Sequence, residues 1–294
     1  MDPDSRGEGA IYVVAASDVS GGVSTVTALR GWVVADNAVG WIDSGMTTNY
    51  QRSGIYLSGT AGAAVRNNYV ATVEALGISV TTDKEPACTE PVISGNLLTE
   101  NQGNIRLSGC AKGVIDSNII RSSDGYGIQT GGNSVAPMVT HNLIHDLTKS
   151  LYNGVDCNGG APGGTLAYNS ISAVWAAEAT LEMGCDHWTV HDNYFNSSNN
   201  AGNGSLTLSI RREAMPGMQF QNNRYKVNAT TNHQFNVGAG QPGGNTFHDM
   251  DWWRGNVEKT SKTGEAAPRE QAMTSGGGGR RRVAREMERR VRCR

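Results

Sequence analysis

A short pattern that recurs seven times between residues 65 and 225 constrains the fold of this chain more than any other feature. Each copy has an apolar residue, two variable residues, an asparagine, one more variable residue and a second apolar residue. The copies read VRNNYV, ISGNLL, IDSNII, VTHNLI, LAYNSI, VHDNYF and FQNNRY. Their asparagines are separated by 28, 22, 24, 27, 24 and 30 residues. A period in the twenties is typical of a solenoid, whose units bury their apolar faces by stacking on their neighbours.

The alternation of apolar and polar residues between the copies indicates β-strands. Segments such as Ile78-Ser79-Val80 and Ile105-Arg106-Leu107 have a period of two, which buries one face of a strand. Helical repeats would instead need apolar residues three and four apart over a longer stretch. Glycine-rich stretches separate the alternating segments, and the chain has 38 glycines. We therefore predict an all-β fold, a parallel β-helix of about eight or nine coils.

The repeated asparagine has two expected roles. It tolerates the left-handed backbone that a sharp bend requires. When the coils stack in register, its amide can also bond to the asparagines above and below, as in asparagine ladders. The repeat asparagines are Asn68, Asn96, Asn118, Asn142, Asn169, Asn193 and Asn223.

The N-x-[IVF] repeats, the strand alternation and the coil length resemble the right-handed parallel β-helix proteins of the pectate-lyase-like superfamily. The resemblance covers roughly residues 10–250 and implies a single-stranded right-handed β-helix at an extracellular or cell-surface location. This superfamily includes polysaccharide lyases, glycoside hydrolases and non-catalytic surface proteins. The catalytic motifs of polygalacturonases and pectate lyases have no match here; WIDSG at Trp41–Gly45, for instance, lacks the histidine. The resemblance therefore assigns no catalytic residue.

Composition divides the chain into three parts. Residues 1–10 are a polar lead, residues 11–256 are predicted to form the β-helix domain, and residues 257–294 are predicted to be a disordered linker and basic tail. This last part holds 11 lysines and arginines against 5 acidic residues. A basic run such as residues 280–294 can bind nucleic acid or anionic lipid. We expect a disordered tail instead, and no nucleic-acid partner.

The beginning of the sequence bears on export. Residues 1–10 lack the charged-then-apolar layout of a signal peptide. No run of 18 apolar residues is present, so no transmembrane helix is predicted. Because β-helices usually carry an N-terminal cap and this chain enters a strand at Ile11, we expect the sequence to begin downstream of a missing segment.

Weaker copies of the repeat extend it at both ends. Asn37 lies 31 residues before Asn68 and fits the pattern, and Asn245 with Phe247 is a late candidate. Two adjacent tryptophans, Trp252 and Trp253, follow the last copy. We expect them to cover the open end of the stack, and ligand stacking is the alternative.

Three cysteines share one position in the repeat. Cys88, Cys110 and Cys185 each lie eight residues before a repeat asparagine. Cys88 and Cys110 fall on successive coils, about 4.8 Å apart, which is within the range that a disulfide can bridge. Buried free thiols are the preferred interpretation and a disulfide is the alternative. Cys157 is assigned to an inward strand position and Cys293 to the tail.

The outward side chains of the alternating strands are the predicted place for chemistry, because the inward positions fill the core. One position per coil can be followed along the stack. This row is predicted to be Tyr56, Ser79, Arg106, Gln129, Asp156, Glu182, Thr207 and Asn236.

In this row Asp156 and Glu182 are predicted to stand side by side on adjacent coils. Repulsion between two close carboxylates raises one pKa and leaves an acid beside a base, which suits glycoside hydrolysis. The same two residues are the candidate metal ligands, and they could hold Ca²⁺ against an acidic sugar. Arg106 and Arg211 flank them and could neutralise a uronate carboxylate. The alternative is that these charges only keep the surface soluble.

Further candidates lie near the coil corners. His145, next to Asp146, could serve as a base. Tyr126 and Tyr152 could stack on sugar rings, and Gln129 could donate hydrogen bonds to a substrate. His141 and His191 occupy variable positions of the repeat, where an exposed histidine needs no function.

Two classes of function follow. The first is a carbohydrate-active enzyme, a polysaccharide lyase or glycoside hydrolase, that acts on a polysaccharide lying along the outward strand face. The second is a non-catalytic β-helix that binds glycan or serves as a structural or adhesive rod. The expected partner is a polysaccharide. The sequence requires no cofactor, although Ca²⁺ could bind.

Overall fold

The computed structural model describes residues 11–14, 17–20, 23–26, 29–42, 53–82, 88–147, 153–172, 179–181, 184–197, 206–211, 214–215, 217–227, 234–238 and 246–264. Within these ranges the chain forms a parallel β-solenoid whose coils stack along one axis. Each full coil passes through several sheets in turn, which we name A to D in the order in which a coil visits them. The predicted all-β parallel β-helix is confirmed.

Sheet A has ten strands, and the first nine pair with one another in parallel. The strands are Ile11–Val14, Ser53–Ser58, Leu76–Thr81, Gly103–Ser108, Ile128–Gly131, Val155–Asn158, Ala179–Leu181, Leu208–Ile210, Phe235–Val237 and Thr246–His248. The last strand runs antiparallel to the one before it. Inward residues such as Ile78 and Val155 are fully buried, as the alternation predicts.

Sheets C and D carry the two apolar positions of each repeat. Sheet C consists of Val33–Ala35, Ala64–Arg66, Val92–Ser94, Val114–Asp116, Met138–Thr140, Thr165–Ala167, Thr189–His191 and Gln219–Gln221. Sheet D consists of Ala38–Ile42, Tyr69–Val73, Leu97–Thr99, Ile119–Ser123, Leu143–Leu147, Ser170–Ser172, Tyr194–Asn196, Arg224–Lys226 and Lys262–Thr263. Ile93 of sheet C and Leu98 of sheet D are fully buried.

Two smaller elements complete the strands. Sheet B has four short strands, Leu29–Arg30, Thr60–Ala61, Cys88–Thr89 and Cys110–Ala111, and lies between sheets A and C in each coil that it joins. A separate antiparallel hairpin is formed by Ser17–Ser20 and Val23–Val26.

The repeat asparagines form a continuous hydrogen-bonded ladder at the corner between sheets C and D. Asn142 shows the pattern: its backbone N and its Nδ2 both donate to Asn169 Oδ1, at 2.9 and 3.0 Å. The same Nδ2 also donates to the backbone oxygens of Ile115 and Thr140, each at 2.9 Å. Asn37 joins the ladder at its N-terminal end by donating to Asn68 Oδ1. The predicted ladder is confirmed, and so is the early copy of the repeat.

The bend at this corner is made by the residue before each asparagine, and this corrects the first role predicted for the asparagine. None of the repeat asparagines has a positive φ. Positive φ occurs at Asp36, Asn67, Gly95, Ser117, His141, Tyr168, Asp192 and Asn222. The sharp turn thus precedes the asparagine, whose side chain is buried and bonded along the stack.

A short helix, Met250–Asn256, closes the C-terminal end of the stack. Asp249 caps it by accepting a hydrogen bond from Trp252 N at 2.8 Å. Trp253 is fully buried, and its ring stacks on Phe235 with 4.5 Å between the ring centroids. The predicted covering role is confirmed for Trp253. Trp252 is half-buried and stacks on His248.

Glu258 ends the asparagine ladder in the place where a further asparagine would stand. Its Oε1 accepts from Asn223 N at 2.7 Å and from Asn223 Nδ2 at 3.2 Å. Its Oε2 accepts from Tyr225 OH at 2.6 Å and from Trp253 Nε1 at 3.4 Å. Burial raises the pKa of Glu258, and burial together with the facing carboxylate raises the pKa of Tyr225. The ladder therefore ends on a buried carboxylate with four donors.

The β-helix domain extends past the predicted boundary at residue 256. Lys262–Thr263 pairs in parallel with Arg224–Lys226, so the stack continues to about residue 264. Phe247 lies in the antiparallel strand and does not continue the parallel stack, which corrects the late copy of the repeat. Asn245 and residues 265–294 lie outside the described residues.

Four cysteines form two disulfides, which corrects the preference for free thiols. Cys88 and Cys110 are bonded with 4.5 Å between their Cα atoms, and they pair in register on adjacent strands of sheet B. Cys157, which is inward in sheet A as predicted, is bonded to Cys185 with 6.2 Å between their Cα atoms. Cys293 lies outside the described residues.

Candidate functional site

Because the strands of sheet A pair in register, the position of Arg106 can be followed as one row along the stack. The row consists of Tyr12, Tyr56, Ser79, Arg106, Gln129, Asp156, Thr180, Ser209 and Asn236. The charged members are Arg106 and Asp156, and Gln129 lies between them. With neighbouring strands about 4.8 Å apart, the backbones of Arg106 and Asp156 lie roughly 10 Å apart along the row.

Asp156 lies at the centre of the candidate site, with its carboxylate held by two amides. Gln129 Nε2 donates to Asp156 Oδ2 at 3.1 Å, and Asn153 Nδ2 donates to Asp156 Oδ1 at 3.4 Å. The residue is only 2% exposed. A buried carboxylate is costly unless it is hydrogen-bonded, so these donors orient the group and offset part of that cost.

The predicted carboxylate pair is not in register. Asp156 pairs with Thr180, and Thr180 pairs with Ser209, where the sequence predicts Glu182 and Thr207. Both errors are slips of two residues along the strand. Alternation cannot distinguish such slips, because it repeats every two residues. Glu182 itself lies outside the described residues.

The row is more buried than a solvent-facing strand surface would be. Tyr56 is 6% exposed, Ser79 3% and Asn236 4%. Arg106 and Gln129 are half-buried. A ligand could therefore reach Arg106 and Gln129 more readily than Asp156.

Two other predicted substrate-binding residues, Arg211 and Tyr126, lie outside this row. Arg211 directly follows the strand Leu208–Ile210, two strands away from Asp156, and Arg106 is two strands away on the other side. Tyr126 is half-buried, three residues before Gln129, and its backbone oxygen accepts from Asn104 Nδ2 at 2.7 Å. Tyr152 lies outside the described residues.

His145 belongs to a different sheet from Asp156. It lies on the outward face of sheet D, paired in register with Arg121 and Ser172. Its Nδ1 is 2.6 Å from Asp146 Oδ2, the contact that the sequence suggests for a base. The structure thus separates His145 from the row that holds Asp156.

Sequence reasoning missed two features of the candidate surfaces. The first is Asn153, whose amide contacts Asp156 but follows no repeat pattern. The second is a histidine–tyrosine strip at the corner between sheets C and D. Tyr168 stacks on His141 with 5.1 Å between ring centroids and meets His191 edge-on at 5.3 Å. Adjacent positions of the copies VTHNLI, LAYNSI and VHDNYF carry these rings, and that alignment could have indicated the strip.

Asp116 forms the charged end of this strip. Its Oδ1 accepts from Thr140 Oγ1 at 2.8 Å and lies 2.9 Å from His141 Nδ1. Burial raises the pKa of Asp116, but the hydrogen bonds from Thr140 and His141 outweigh burial and hold the pKa below its ordinary value. The carboxylate is therefore charged at neutral pH.

Comparison with solved structures adds little beyond this geometry. A structure titled "The complex structure of XylC with xylose" is similar, with 13% sequence identity and a TM-score of 0.43. The similarity covers 63% of this chain and 36% of that one, so the chain spans about a third of the length of the protein it matches. No curated protein matches the sequence.

Comparison with protein families is decisive for the fold. The family described as "Right handed beta helix region" matches residues 32–195 and, in a second overlapping alignment, residues 77–251. The first match alone covers more than half of the chain, and its two ends lie within the parallel stack. The chain therefore belongs to the right-handed β-helix family.

Proposed function

We propose that this protein binds an acidic polysaccharide along the outward face of sheet A and cleaves it beside Asp156. The observation that supports the proposal is the register of Arg106, Gln129 and Asp156 on three consecutive strands. A cation, an amide and a carboxylate thus follow one another at the spacing of the strands. Such a row offers donors, acceptors and a positive charge to a ligand rich in hydroxyl and carboxylate groups.

Each residue has a distinct role in this proposal. Arg106 pairs with a uronate carboxylate, because guanidinium and carboxylate form strong charge-assisted hydrogen bonds. Gln129 donates to Asp156 and sets the orientation of the carboxylate. In a lyase, Asp156 takes the proton next to the uronate carboxylate, the glycosidic C–O bond at the β carbon breaks as the double bond forms, and the leaving oxygen takes a proton from water. A hydrolase requires a second carboxylate, and Glu182 is the candidate from the sequence for that role.

Calcium is the metal that this site would accept, since its ligands are oxygen atoms. Among the described residues, no group of three or more His, Cys, Asp or Glu is placed to hold a metal ion. Asp156 is the carboxylate among the described residues of the row, and at 2% exposed it reaches Ca²⁺ only if its surroundings move, so a bound Ca²⁺ would take further oxygen ligands from the sugar. In that case binding, as well as cleavage, would require Ca²⁺.

The test is a panel of uronate and neutral polysaccharides, incubated with the protein in the presence and absence of Ca²⁺. Unsaturated ends indicate a lyase, and new reducing ends without unsaturation indicate a hydrolase. Asp156→Asn should lower the cleavage rate about 10²–10⁴-fold, since it removes the acid or base. Arg106→Ala should weaken binding of acidic substrates about 10-fold. Arg121→Ala, a half-buried arginine on sheet D, is the matched control and should change neither.

The burial of Asp156 favours a second candidate function, a β-helix that binds glycan without cleaving it. A carboxylate that is 2% exposed cannot exchange a proton with a ligand unless its surroundings move. Binding that depends on Arg106, with no cleavage of any bound polysaccharide, would establish this function. Full cleavage by both Asp156→Asn and Glu182→Gln would instead refute a role for the carboxylates and direct attention to His145.

An extracellular or cell-surface location is part of the same proposal. Two disulfides join Cys88 to Cys110 and Cys157 to Cys185, and disulfides persist mainly in oxidising compartments. In the part of the chain that the structure describes, no helix has the length and apolar character needed to span a membrane.

A further inference from the structure

An exposed apolar stripe runs along sheet C in the N-terminal half of the stack. Val33 is 52% exposed, Val92 37% and Met138 45%, and all three occupy the same outward position of their strands. Trp32 and Val135, which are 47% and 51% exposed, extend the stripe on the side that precedes the row in each coil. The full row consists of Val33, Ala64, Val92, Val114, Met138, Thr165, Thr189 and Gln219. The stripe therefore covers five coils and ends where the row becomes polar.

The size of the stripe matches the apolar part of a protein interface. The five exposed side chains present about 400 Å² of apolar surface, which is comparable to the largest patch on a typical monomer. A stable interface buries about 800 Å² on each partner, and a little more than half of that area is apolar. The stripe with its polar borders is therefore large enough for one specific protein contact.

Opposite charges border the stripe on two of its five coils. On the first coil, Arg30 lies three residues before Val33 and Asp36 lies three residues after it. On the fourth coil, Lys112 lies two residues before Val114 and Asp116 lies two residues after it. One border of the stripe is thus basic, and the other is acidic on the same coils.

We propose that the occupant of this stripe is a second copy of the chain, related by a two-fold axis parallel to the stack. Such an axis keeps each coil opposite its equivalent and exchanges the two borders of the stripe. Arg30 of one copy then faces Asp36 of the other, and Lys112 faces Asp116. Each pairing occurs twice, once on each side of the axis.

On the second and third coils, no charged residue faces a residue of the same charge in this arrangement. Glu90, two residues before Val92, faces Ser94, and Arg66, two residues after Ala64, faces Gly62. The contact between Lys112 and Glu90 allows the exchange, since both side chains are exposed and lie 3.9 Å apart, whereas Asp116 keeps its contacts with Thr140 and His141. Surface pairs of this kind contribute little to stability and are readily replaced. The stripe is apolar at its centre and carries opposite charges at its two borders, so it is complementary to a second copy of itself. This complementarity favours self-association over an unrelated partner.

The test is sedimentation velocity of the full chain over a wide concentration range. We expect a concentration-dependent dimer. Val92→Asp places a charge at the centre of the stripe and should raise the dimer dissociation constant at least about 10-fold. Thr165→Asp introduces the same charge into the polar half of the row and is the matched control, which should leave the dissociation constant unchanged. Melting temperatures verify that both variants are folded.

A charge exchange tests the orientation of the two copies. Arg30→Glu should weaken the dimer, and the double variant Arg30→Glu with Asp36→Lys should restore it, because the borders remain complementary. Failure of the double variant to restore the dimer would overturn the parallel two-fold arrangement. A wild-type chain that sediments as a monomer at every concentration would overturn self-association, whether the stripe is bare or covered by another part of the chain. These results are independent of polysaccharide binding, which concerns sheet A.

Discussion

Replacing one internal asparagine of the ladder tests how the stack is held together. Asn142→Leu keeps the approximate shape of the side chain but removes five hydrogen bonds. The Nδ2 atom donates to Ile115 O, Thr140 O and Asn169 Oδ1. The Oδ1 atom accepts from Asn118 N and from Asn118 Nδ2, both at 3.0 Å.

The partners differ in what they retain after the substitution. Asn118 Nδ2 still donates to the backbone oxygens of Ile93 and Asp116, and Asn169 Oδ1 still accepts from residue 142 N. Asn118 N loses the acceptor that the ladder gives it. One orphaned buried N–H costs about 1–3 kcal/mol, and the other lost bonds add about 0.5–1.5 kcal/mol each in net terms. The free energy of unfolding should therefore fall by at least about 3 kcal/mol.

Thermal unfolding followed by circular dichroism measures this loss. For a domain of this size the melting temperature should fall by roughly 10 °C. Asn37→Leu is the matched control, because Asn37 begins the ladder and no preceding asparagine among the described residues donates to it. Its melting temperature should fall much less. Equal falls for the two variants, or no fall for Asn142→Leu, would refute the idea that the ladder amides stabilise the corner.

Three further predictions concern the ends and the cross-links of the stack. Because burial raises the pKa of Glu258, the folded state binds its proton more tightly than the unfolded state does. The stability contributed by this residue should therefore rise as the pH falls through the folded-state pKa, and Glu258→Gln should flatten the dependence of melting temperature on pH. Truncation after residue 264 should preserve the melting temperature. Truncation after residue 256 removes Glu258 and the strand Lys262–Thr263, so it should lower the melting temperature clearly. Equal melting temperatures for the two truncated chains would show that the domain ends at residue 256. Cys157→Ser with Cys185→Ser opens a 28-residue loop and should cost about 3–4 kcal/mol of unfolding free energy, measured in denaturant without reductant.

The repeat determined the fold without any tertiary information. Seven copies of one pattern require stacking, and alternation between them requires strands, so a parallel β-helix follows from local chemistry. The same reasoning predicted the ladder through Asn142 and identified Asn37 as a member. It also assigned Arg106, Gln129 and Asp156 to consecutive positions of one outward row. These inferences succeed because each depends on which face of a coil a residue occupies.

Only the tertiary structure decided the position of residues along the stack. The coils differ in length, and alternation is unchanged by a shift of two residues, so Thr180 and not Glu182 pairs with Asp156. Glu258 lies 35 residues after Asn223 and belongs to no repeat, yet its carboxylate meets the donors left at the end of the ladder. The bond between Cys157 and Cys185 joins a strand of sheet A to a cysteine that shares no repeat position with it. Each of these contacts depends on how far the chain travels between coils, and neither periodicity nor residue type encodes that distance.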